Sequence, residues 1–319
     1  MEFHVIGAGA LGLLYGAKLS LAGHHVKFHT RTEEQAIRLN VEGIILSENG
    51  ESIHINSNEF KAYSIVTPLQ QLENSADWII IAVKQWQVDD DLIAKIKNLA
   101  LQNAAIVCLQ NGIGLADTLI HSNIKNSVYS IVTTEGAKRT QNNEVLHTGR
   151  GNTIIGAAEI GNKMDKNRNE IDEKGKLLAE IFSEAGFTAF LSNKIDKEIY
   201  KKLLINSIIN PLTAIWRISN GELLATPQRQ QFVKLLCQET DHICKAHHIS
   251  IDFNLYEQVQ EVCKATFGNT SSMLYDILQG NETEVDYING YLVKLALDVN
   301  IKAPMHDTIT QLVKGMKSF

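Results

Sequence analysis

A lysine and two asparagines recur at intervals of four residues within an apolar stretch near the middle of the chain. Lys202, Asn206 and Asn210 share the run from 201 to 214 mainly with leucine, isoleucine and alanine. Because residues four apart lie on one face of a helix, the three side chains are predicted to form a polar line. Burying a cation and two amides costs free energy unless a polar group meets them. A small polar substrate is the candidate for that group.

A plainer interpretation of the same residues stays open at this point. Asn210 could end the helix before Pro211, because the residue that precedes a proline is disfavoured in helical conformation. Asn206 could bond to neighbouring backbone, and Lys202 could extend its ammonium to solvent along its aliphatic stem. The sequence alone does not separate the two interpretations.

The amino terminus carries a glycine pattern typical of dinucleotide binding. An apolar strand at residues 3–6 leads into Gly7, Gly9 and Gly12, and a helix follows through Ala22. The first glycine allows a tight turn, the second lets the backbone approach a pyrophosphate, and the third allows close packing of helix on strand. The amino end of the helix then faces the anion. The alternative is a plain strand-turn-helix of an unrelated α/β fold.

The end of the second predicted strand, His25–Thr30, indicates which dinucleotide binds. An acidic residue about 20 positions beyond the glycines would bind the ribose 2′-hydroxyl of NADH, whereas arginine suits the 2′-phosphate of NADPH. This chain has Arg31 there, and Glu33 and Glu34 fit the first turn of the next helix. We therefore predict NADPH as the cofactor and Arg31 as the selecting residue. A solvated surface arginine is the alternative.

Length and charge exclude several classes of function. The 319 residues suggest two domains, and the net charge of −6 is not the signature of a nucleic-acid-binding protein. No apolar run reaches the ~18 residues that a membrane span needs, and no basic leader precedes the first strand. We expect a cytoplasmic protein that binds neither nucleic acid nor membrane and acts as a monomer or homodimer.

The spacing of cysteines and histidines argues against a metal site. The four cysteines lack any Cys-x-x-Cys pair, and no disulfide is expected because thiols stay reduced inside the cell. One cluster has spacings that could align on a helix, but it matches no known ligand pattern. We interpret it as an amphipathic helix with a histidine-rich end and predict no metal. The cluster comprises Cys237, Asp241, His242, Cys244, His247 and His248.

The first half of the chain alternates between buried strands and helices, which predicts a doubly wound parallel sheet. The Glu48-Asn49-Gly50 segment predicts a hairpin insertion at 43–56. Two further strands, at 145–148 and 153–156, are expected to form an antiparallel edge of the same sheet. The buried strand candidates beyond the first two are 78–83, 105–109 and 128–132.

The second part of the chain has helical patterns from Ile195 almost to the end. Before it, a charged segment at 161–176 passes from a loop into a helix, and a last strand is predicted at 188–191. We predict five to seven helices in an all-helical carboxy-terminal domain. The boundary is placed near residue 190, with a nucleotide-binding domain at 1–190 and a helical substrate domain at 191–319.

Two polar side chains follow strands whose carboxyl ends would face the ligand crevice of an open α/β sheet. Lys84 could attract a cofactor phosphate or a substrate carboxylate. Asn111 could bind a ribose hydroxyl or a substrate oxygen. The alternatives are a surface lysine and an ordinary Asn-Gly turn.

A set of motifs spread along nearly the whole chain carries a resemblance to a known family. The motifs are residues 7–12, Arg31, Lys84, Asn-Gly-Ile-Gly at 111–114, the run from Lys202 to Trp216, and residues 220–223, 271–276 and 284–290. They resemble ketopantoate reductase, or 2-dehydropantoate 2-reductase, which reduces ketopantoate to (R)-pantoate with NADPH on the route to pantothenate and coenzyme A. The resemblance implies a Rossmann-like α/β domain and an all-helical domain like the carboxy-terminal domain of 6-phosphogluconate dehydrogenase.

The resemblance also implies a role for each candidate residue. Lys202 is similar to the family's proton donor, and Glu284 is the second residue assigned to catalysis, near the nicotinamide ribose. The residues implied to bind substrate are Asn111, Lys202, Asn206, Asn210, Asn220 and Ser272. The residues implied to bind cofactor are Gly7, Ala8, Gly9, Ala10, Leu11, Gly12, Arg31, Lys84, Asn111, Ala137 and Glu284.

A lysine suits the reduction of a keto acid. Negative charge develops on the carbonyl oxygen as hydride arrives, and the Lys202 ammonium can stabilise it and then supply a proton without a large pKa depression. The asparagines would orient substrate without changing charge. Ser272 could instead cap the helix at 273–279, and Glu284 could cap the helix that begins at Val285. Those roles stay open.

Two other functions stay in view beside ketopantoate reduction. A related reductase of the same two-domain class could act on another 2-keto acid, since fold alone does not fix the substrate. A non-catalytic NADPH-binding sensor could keep the nucleotide fold and lack the chemistry. The presence of Lys202 in its asparagine-flanked setting argues against the sensor.

Overall fold

The chain folds into two compact units, and the apolar cores of the first are separate from that of the second. The computed structural model describes residues 1–66, 76–100, 104–109, 113–158 and 168–316. The first unit reaches Asp196, and the second consists mainly of the residues from Lys197 onward. Within the described ranges, no helix combines the length and the apolar character that crossing a membrane requires.

The first unit is built around an eight-stranded sheet. Its strands are β1 (Glu2–Ile6), β2 (His25–Thr30), β5 (Phe60–Ser64), β6 (Trp78–Ile81), β7 (Ala105–Cys108), β8 (Val128–Thr133), β11 (Asn152–Ala157) and β12 (Thr188–Leu191). Their order is β12-β11-β8-β7-β6-β1-β2-β5. The six strands from β8 to β5 are parallel, and β11 pairs antiparallel with β8. The predicted parallel sheet is confirmed.

Helices cover both faces of this sheet, so it is doubly wound. Pleating sends successive side chains to opposite faces, and Val5 of β1 accordingly packs in one core while Ile6 packs in another. Leu14 and Phe182 join Val5, whereas Leu92 joins Ile6. The helices that contribute to these cores are α1 (Ala10–Leu21), α2 (Glu33–Glu42), α3 (Asp90–Leu99), α4 (Leu115–His121) and α5 (Arg168–Glu184).

A second, four-stranded sheet corrects one expectation from the sequence. It has the order β4-β3-β10-β9, with β3 (Ile44–Glu48), β4 (Glu51–Ile55), β9 (Gly136–Gln141) and β10 (Glu144–Gly149). The hairpin at Asn49-Gly50 is confirmed, and both residues have the positive φ, 54° and 83°, that its tight turn uses. The strand predicted at 145–148 was wrongly assigned to the main sheet. It pairs parallel with β3, because the inserted hairpin offers an open strand edge.

The second unit is helical in its described part, as predicted. Its helices are α6 (Ile195–Trp216), α7 (Pro227–Ala246), α8 (Leu255–Ala265), α9 (Ser272–Leu278), α10 (Val285–Asp298) and α11 (Pro304–Gly315), and a short 3₁₀ helix spans Gly221–Leu224. Leu203, Leu204, Ile208 and Ile209 of α6 are all almost fully buried in the core of this unit. A helix that is apolar around most of its circumference lies at the centre of a core.

Candidate active site

The polar line of α6 is present as one helical face. The helix runs unbroken for 22 residues with Pro211 in its interior, so the alternative in which Asn210 ended the helix was wrong. Asn210 is 6% exposed, while Lys202 and Asn206 are partly buried. Continuation of the helix keeps the three side chains in register at intervals of one turn. The polar face is therefore built into the core of the second unit.

The protein lowers the pKa of the Lys202 amino group toward neutral pH. Desolvation by burial lowers its pKa from the ordinary 10.5 to about 8, and the charge of Glu284 acts in the opposite direction. Glu284 is 5% exposed and stands at the amino end of α10, but its side chain makes no capping hydrogen bond to that helix. The side chain of Glu284 therefore does not cap α10, and its charge raises the pKa of Lys202.

The structure also shows which of two adjacent serines, Ser271 and Ser272, caps α9. Ser271 caps α9, because its hydroxyl accepts a hydrogen bond from the Leu274 amide at 3.2 Å. Ser272 is the first helical residue, and its Oγ lies 3.5 Å from Asn210 Nδ2. The Ser271 and Thr213 hydroxyls lie 2.7 Å apart. These contacts bring the start of α9 against the polar face of α6.

Asn220 contributes a buried acceptor to the same unit. It is 8% exposed and precedes the 3₁₀ helix, and its Nδ2 donates to Thr266 Oγ1 at 2.9 Å. Its Oδ1 is buried and has no hydrogen-bond partner among the residues that the structure describes. A buried amide oxygen left over in this way suits a donor brought by a ligand, such as a hydroxyl.

The glycine turn of the first unit has the geometry that a dinucleotide turn needs. Gly7 has φ of +99°, and a Cβ at that position would lie 2.6 Å from Val83 Cγ1. A Cβ at Gly12 would overlap the Gly7 carbonyl oxygen, whereas one at Gly9 would meet no atom within 4 Å. The space at Gly9 lies at the amino end of α1, where backbone N–H groups point outward. The turn therefore fits a pyrophosphate.

Strand order places two predicted cations on either side of that turn. β1 lies between β2 and β6, and the Gly7 amide donates to the His29 carbonyl at 2.9 Å. Arg31 is exposed immediately after β2, and Lys84 is partly buried three residues after β6. The order of the strands therefore reverses direction at β1. Open α/β sheets bind ligands at such a switch point, beyond the carboxyl ends of the strands.

Gln35 is a residue of this region that the sequence did not single out. It is 4% exposed on α2, and its Nε2 donates to the Ala8 carbonyl at 2.8 Å and to the Asn142 carbonyl at 2.8 Å. One amide thus ties the glycine turn to the connection between β9 and β10. The only signal was a polar residue at a position that α2 buries, and helical periodicity alone does not reveal its partner.

Of the remaining cofactor candidates, the structure describes Ala137 but not Asn111. Ala137 lies in β9, partly buried, and pairs with His147 of β10. The preceding loop is held by Glu135, whose Oε2 lies 2.6 Å from His147 Nε2 and 3.1 Å from the Gly151 amide that donates to it. Asn111 lies outside the described residues.

The cysteine and histidine cluster lies along the second half of α7 and just beyond its end. Cys237 and Cys244 are buried in the core of the second unit, and burial raises the pKa of both thiols to about 12, with Asp241 adding to the effect. In the portion of the chain that the structure describes, no three His, Cys, Asp or Glu side chains are grouped to hold a metal ion. The two thiols are therefore protonated core groups at neutral pH.

Two family descriptions match the chain, and together they cover most of it. Residues 3–159 match Ketopantoate reductase PanE/ApbA. Residues 194–317 match Ketopantoate reductase PanE/ApbA C terminal. The chain belongs to the ketopantoate reductase family. The resemblance that its motifs indicated is confirmed, and as a ketopantoate reductase family member the chain is an oxidoreductase.

Ketopantoate reductase family members align along almost the full length of the chain. A 2-dehydropantoate 2-reductase from Archaeoglobus fulgidus is 32% identical over 318 residues, covering 98% of this chain and 97% of the relative. A probable 2-dehydropantoate 2-reductase from Bacillus subtilis has a crystal structure with a TM-score of 0.79 at 30% identity, covering 99% of this chain and 100% of that one. A ternary structure of D-mandelate dehydrogenase with NADH and anilino(oxo)acetate shares the fold, with a TM-score of 0.84 at 24% identity over 99% and 98% of the two chains.

Proposed function

We propose that this chain reduces 2-dehydropantoate to (R)-pantoate with NADPH, a step on the route to pantothenate and coenzyme A. The observation that carries the proposal is the Lys202 amino group, with a pKa of about 8 beside buried Glu284, on a polar face of an otherwise apolar helix. Relatives named 2-dehydropantoate 2-reductase support the choice of substrate. We assign nucleotide binding to residues 1–190 and substrate binding to residues 191–319, in a cytoplasmic monomer or homodimer.

Lys202 is the proton donor of the proposed reaction. NADPH, when bound, supplies the hydride. The Lys202 ammonium stabilises the negative charge that develops on the carbonyl oxygen and then gives its proton to that oxygen. With a pKa of about 8 the group is mostly protonated at pH 7 and yet gives up its proton more readily than an ordinary lysine. Glu284 holds the ammonium by its charge.

The amide and hydroxyl side chains of the second unit hold the keto acid. Asn206, Asn210 and Ser272 lie on α6 and the start of α9, and their N–H and O–H groups suit the substrate carboxylate. Asn220 offers its buried Oδ1, which can accept a hydrogen bond from the substrate hydroxyl. A keto acid without that hydroxyl would leave the Asn220 oxygen unsatisfied, which costs binding free energy. Asn111 is proposed to contact both substrate and cofactor.

Most of the residues proposed to bind NADPH belong to the first unit. The turn from Gly7 to Gly12, including Ala8, Ala10 and Leu11, receives the pyrophosphate. Arg31 pairs with the 2′-phosphate, since a guanidinium matches phosphate oxygens in a bidentate manner. Lys84, Ala137 and Glu284 complete the proposed cofactor contacts.

The proposed function is tested by following the loss of NADPH absorbance with purified protein and four keto acids. Ketopantoate is expected to be reduced fastest, with pyruvate, 2-ketoisovalerate and acetolactate far slower. Preference for another keto acid would keep the Lys202 chemistry and remove the proposed substrate. NADPH binding without turnover of any keto acid would favour the non-catalytic sensor.

The pH dependence of reduction follows from the Lys202 amino group. Because the protonated form donates the proton, kcat/KM for ketopantoate reduction is expected to be level below pH 7 and to fall about tenfold per pH unit above the pKa of about 8. Oxidation of pantoate needs the neutral amine, so its rate should rise through the same pH range. A reduction profile that stays level to pH 10 would contradict this assignment.

Two glycine substitutions separate the fold of the nucleotide turn from its binding. Gly9→Ala adds a methyl group where the protein leaves space, at an ordinary φ of −77°, so stability should hold while NADPH binding weakens about 10-fold or more through contact with the pyrophosphate. Gly12→Ala overlaps the Gly7 carbonyl and should lower the unfolding free energy by about 1 to 3 kcal/mol. Melting temperatures and NADPH titrations of both variants check this. Unchanged NADPH affinity in Gly9→Ala would place the pyrophosphate elsewhere.

A further inference from the structure

The interior proline of α6 removes one backbone donor from the middle of the polar face. In a regular helix the carbonyl of residue 207 accepts a hydrogen bond from the N–H of residue 211. Pro211 has no N–H, so the Ser207 carbonyl loses this partner between Asn206 and Asn210. Ser207 is fully buried, and an unsatisfied carbonyl there would be costly.

Asn289 of α10 supplies the missing donor. Its Nδ2 donates to the Ser207 carbonyl at 2.8 Å, and Asn289 is fully buried. Its Oδ1 has no hydrogen-bond partner in the described part of the chain. A buried amide whose oxygen is unused costs free energy, so the donor end of Asn289 is what serves the structure.

A buried chain of side chains fixes the orientation of that amide. Asn289 Nδ2 also lies 3.1 Å from His306 Nδ1, and His306 Nε2 lies 2.9 Å from Thr240 Oγ1. The Thr240 hydroxyl donates to the Leu236 carbonyl at 2.8 Å, so it accepts from His306 Nε2, and Nδ1 is left as the acceptor for Asn289. Burial lowers the pKa of His306 to about 3, so the ring stays neutral.

We propose that Asn289 is a positioning residue for the active site. By replacing the backbone donor that Pro211 lacks, it fixes the turn of α6 between Asn206 and Asn210 and keeps their amides aligned with Lys202. The inference rests on the proposed function, because those side chains are taken to hold and protonate the keto acid. Asn289 acts through α6 and touches no substrate.

The first test replaces the donor with an apolar side chain of similar size. Asn289→Leu is expected to lower kcat/KM for ketopantoate about 10²-fold, through both a higher KM and a lower kcat, because small displacements of positioning groups have effects of that size. NADPH affinity should change little, since most of the proposed cofactor contacts belong to the first unit.

Asn143→Leu is the matched control for a purely structural loss. Asn143 is also a buried asparagine whose Nδ2 donates to a backbone carbonyl, that of Gly43 at 3.1 Å, and its Oδ1 likewise has no partner among the described residues. It lies in the first unit, in the turn between β9 and β10. Asn143→Leu should lower the melting temperature and leave the KM for ketopantoate unchanged. If Asn289→Leu retained as much kcat/KM for ketopantoate as Asn143→Leu, the proposal would be overturned.

A double-mutant cycle with Pro211→Ala tests the route through the Ser207 carbonyl. Alanine restores the N–H at position 211, so Asn289→Leu should lower kcat/KM and melting temperature much less in that background, with coupling of about tenfold or more in kcat/KM. Equal losses in both backgrounds would overturn the proposal. If Asn289→Leu alone fails to fold, a folded double variant supports the proposal, and failure of both contradicts it.

The same cycle distinguishes this inference from the proposed function. The melting temperatures report the Asn289 contribution to α6 whether or not ketopantoate is reduced. If the wild-type protein reduces no keto acid while the stability coupling to Pro211 is present, the proposed function fails and the support of α6 by Asn289 stands. If the wild-type protein reduces ketopantoate and the coupling is absent, only the positioning role fails.

Discussion

Lys202→Ala is expected to lower the turnover number for ketopantoate by about 10² to 10⁴-fold, the usual contribution of a general acid. The alkoxide that forms as hydride arrives would then have neither a nearby cation nor a proton donor. NADPH affinity should change little, because most of the proposed dinucleotide contacts belong to the first unit. Steady-state kinetics together with NADPH titration of the same variant measure both quantities.

Two further lysine variants make this result specific. Lys201→Ala removes the neighbouring cation, which lies 5.4 Å from the centre of the Phe253 ring, and it should retain near-normal turnover. Lys202→Arg keeps the positive charge but cannot release a proton near pH 8, so it should remain strongly impaired. Normal turnover in Lys202→Ala would remove this residue from the reaction, and full activity of Lys202→Arg would reduce its role to charge stabilisation.

Arg31→Ala is expected to weaken NADPH binding by about 10- to 100-fold and to leave NADH binding almost unchanged. Only NADPH has a 2′-phosphate, and hydrogen bonds to charged groups are worth about 1.5 to 3 kcal/mol. Arg31 is exposed immediately after β2, so its removal should disturb neither the sheet nor α2. Kinetics with both cofactors under identical conditions give the comparison.

Lys61→Ala controls for the loss of one positive charge. Lys61 is exposed on β5, the strand beside β2, and it lies within the strand rather than at its carboxyl end. Its removal should leave the preference between NADPH and NADH unchanged. Equal losses with both cofactors in Arg31→Ala would contradict its role as the selecting residue. Raised salt should reduce the preference of the wild-type protein for NADPH over NADH, because it screens the charge of the 2′-phosphate.

Local patterns in the sequence predicted much of the fold. The glycine turn, the Asn49-Gly50 hairpin and the long helix from Ile195 each depend on residues close together in the chain. The strand at 145–148 was recognised, but its sheet was not, because strand pairing depends on which edges are open in space. β5 and β9 were missed. β9 has few apolar side chains and reads Gly-Ala-Lys-Arg-Thr-Gln.

The candidate site was predictable where one element carries its residues and not where elements meet. The line of Lys202, Asn206 and Asn210 follows from helical periodicity alone. The cap assignments of Ser272 and Glu284 needed cap geometry, which the sequence left open. Gln35 and Asn289 could not be inferred, because their partners are backbone carbonyls of residues 27 and 82 positions away.

The lowered pKa of Lys202 also makes the stability of the fold depend on pH. The unfolded chain has the ordinary pKa of 10.5 and the folded one about 8, so between these values the unfolded state binds more protons and the unfolding free energy rises with pH. Below pH 8 the full cost of the charged, desolvated amine is present, about 1 to 3 kcal/mol after allowance for its partial exposure. The protonated state that the proposed reaction needs is therefore the one that weakens the fold, so stability and the proposed activity are opposed at a single nitrogen atom.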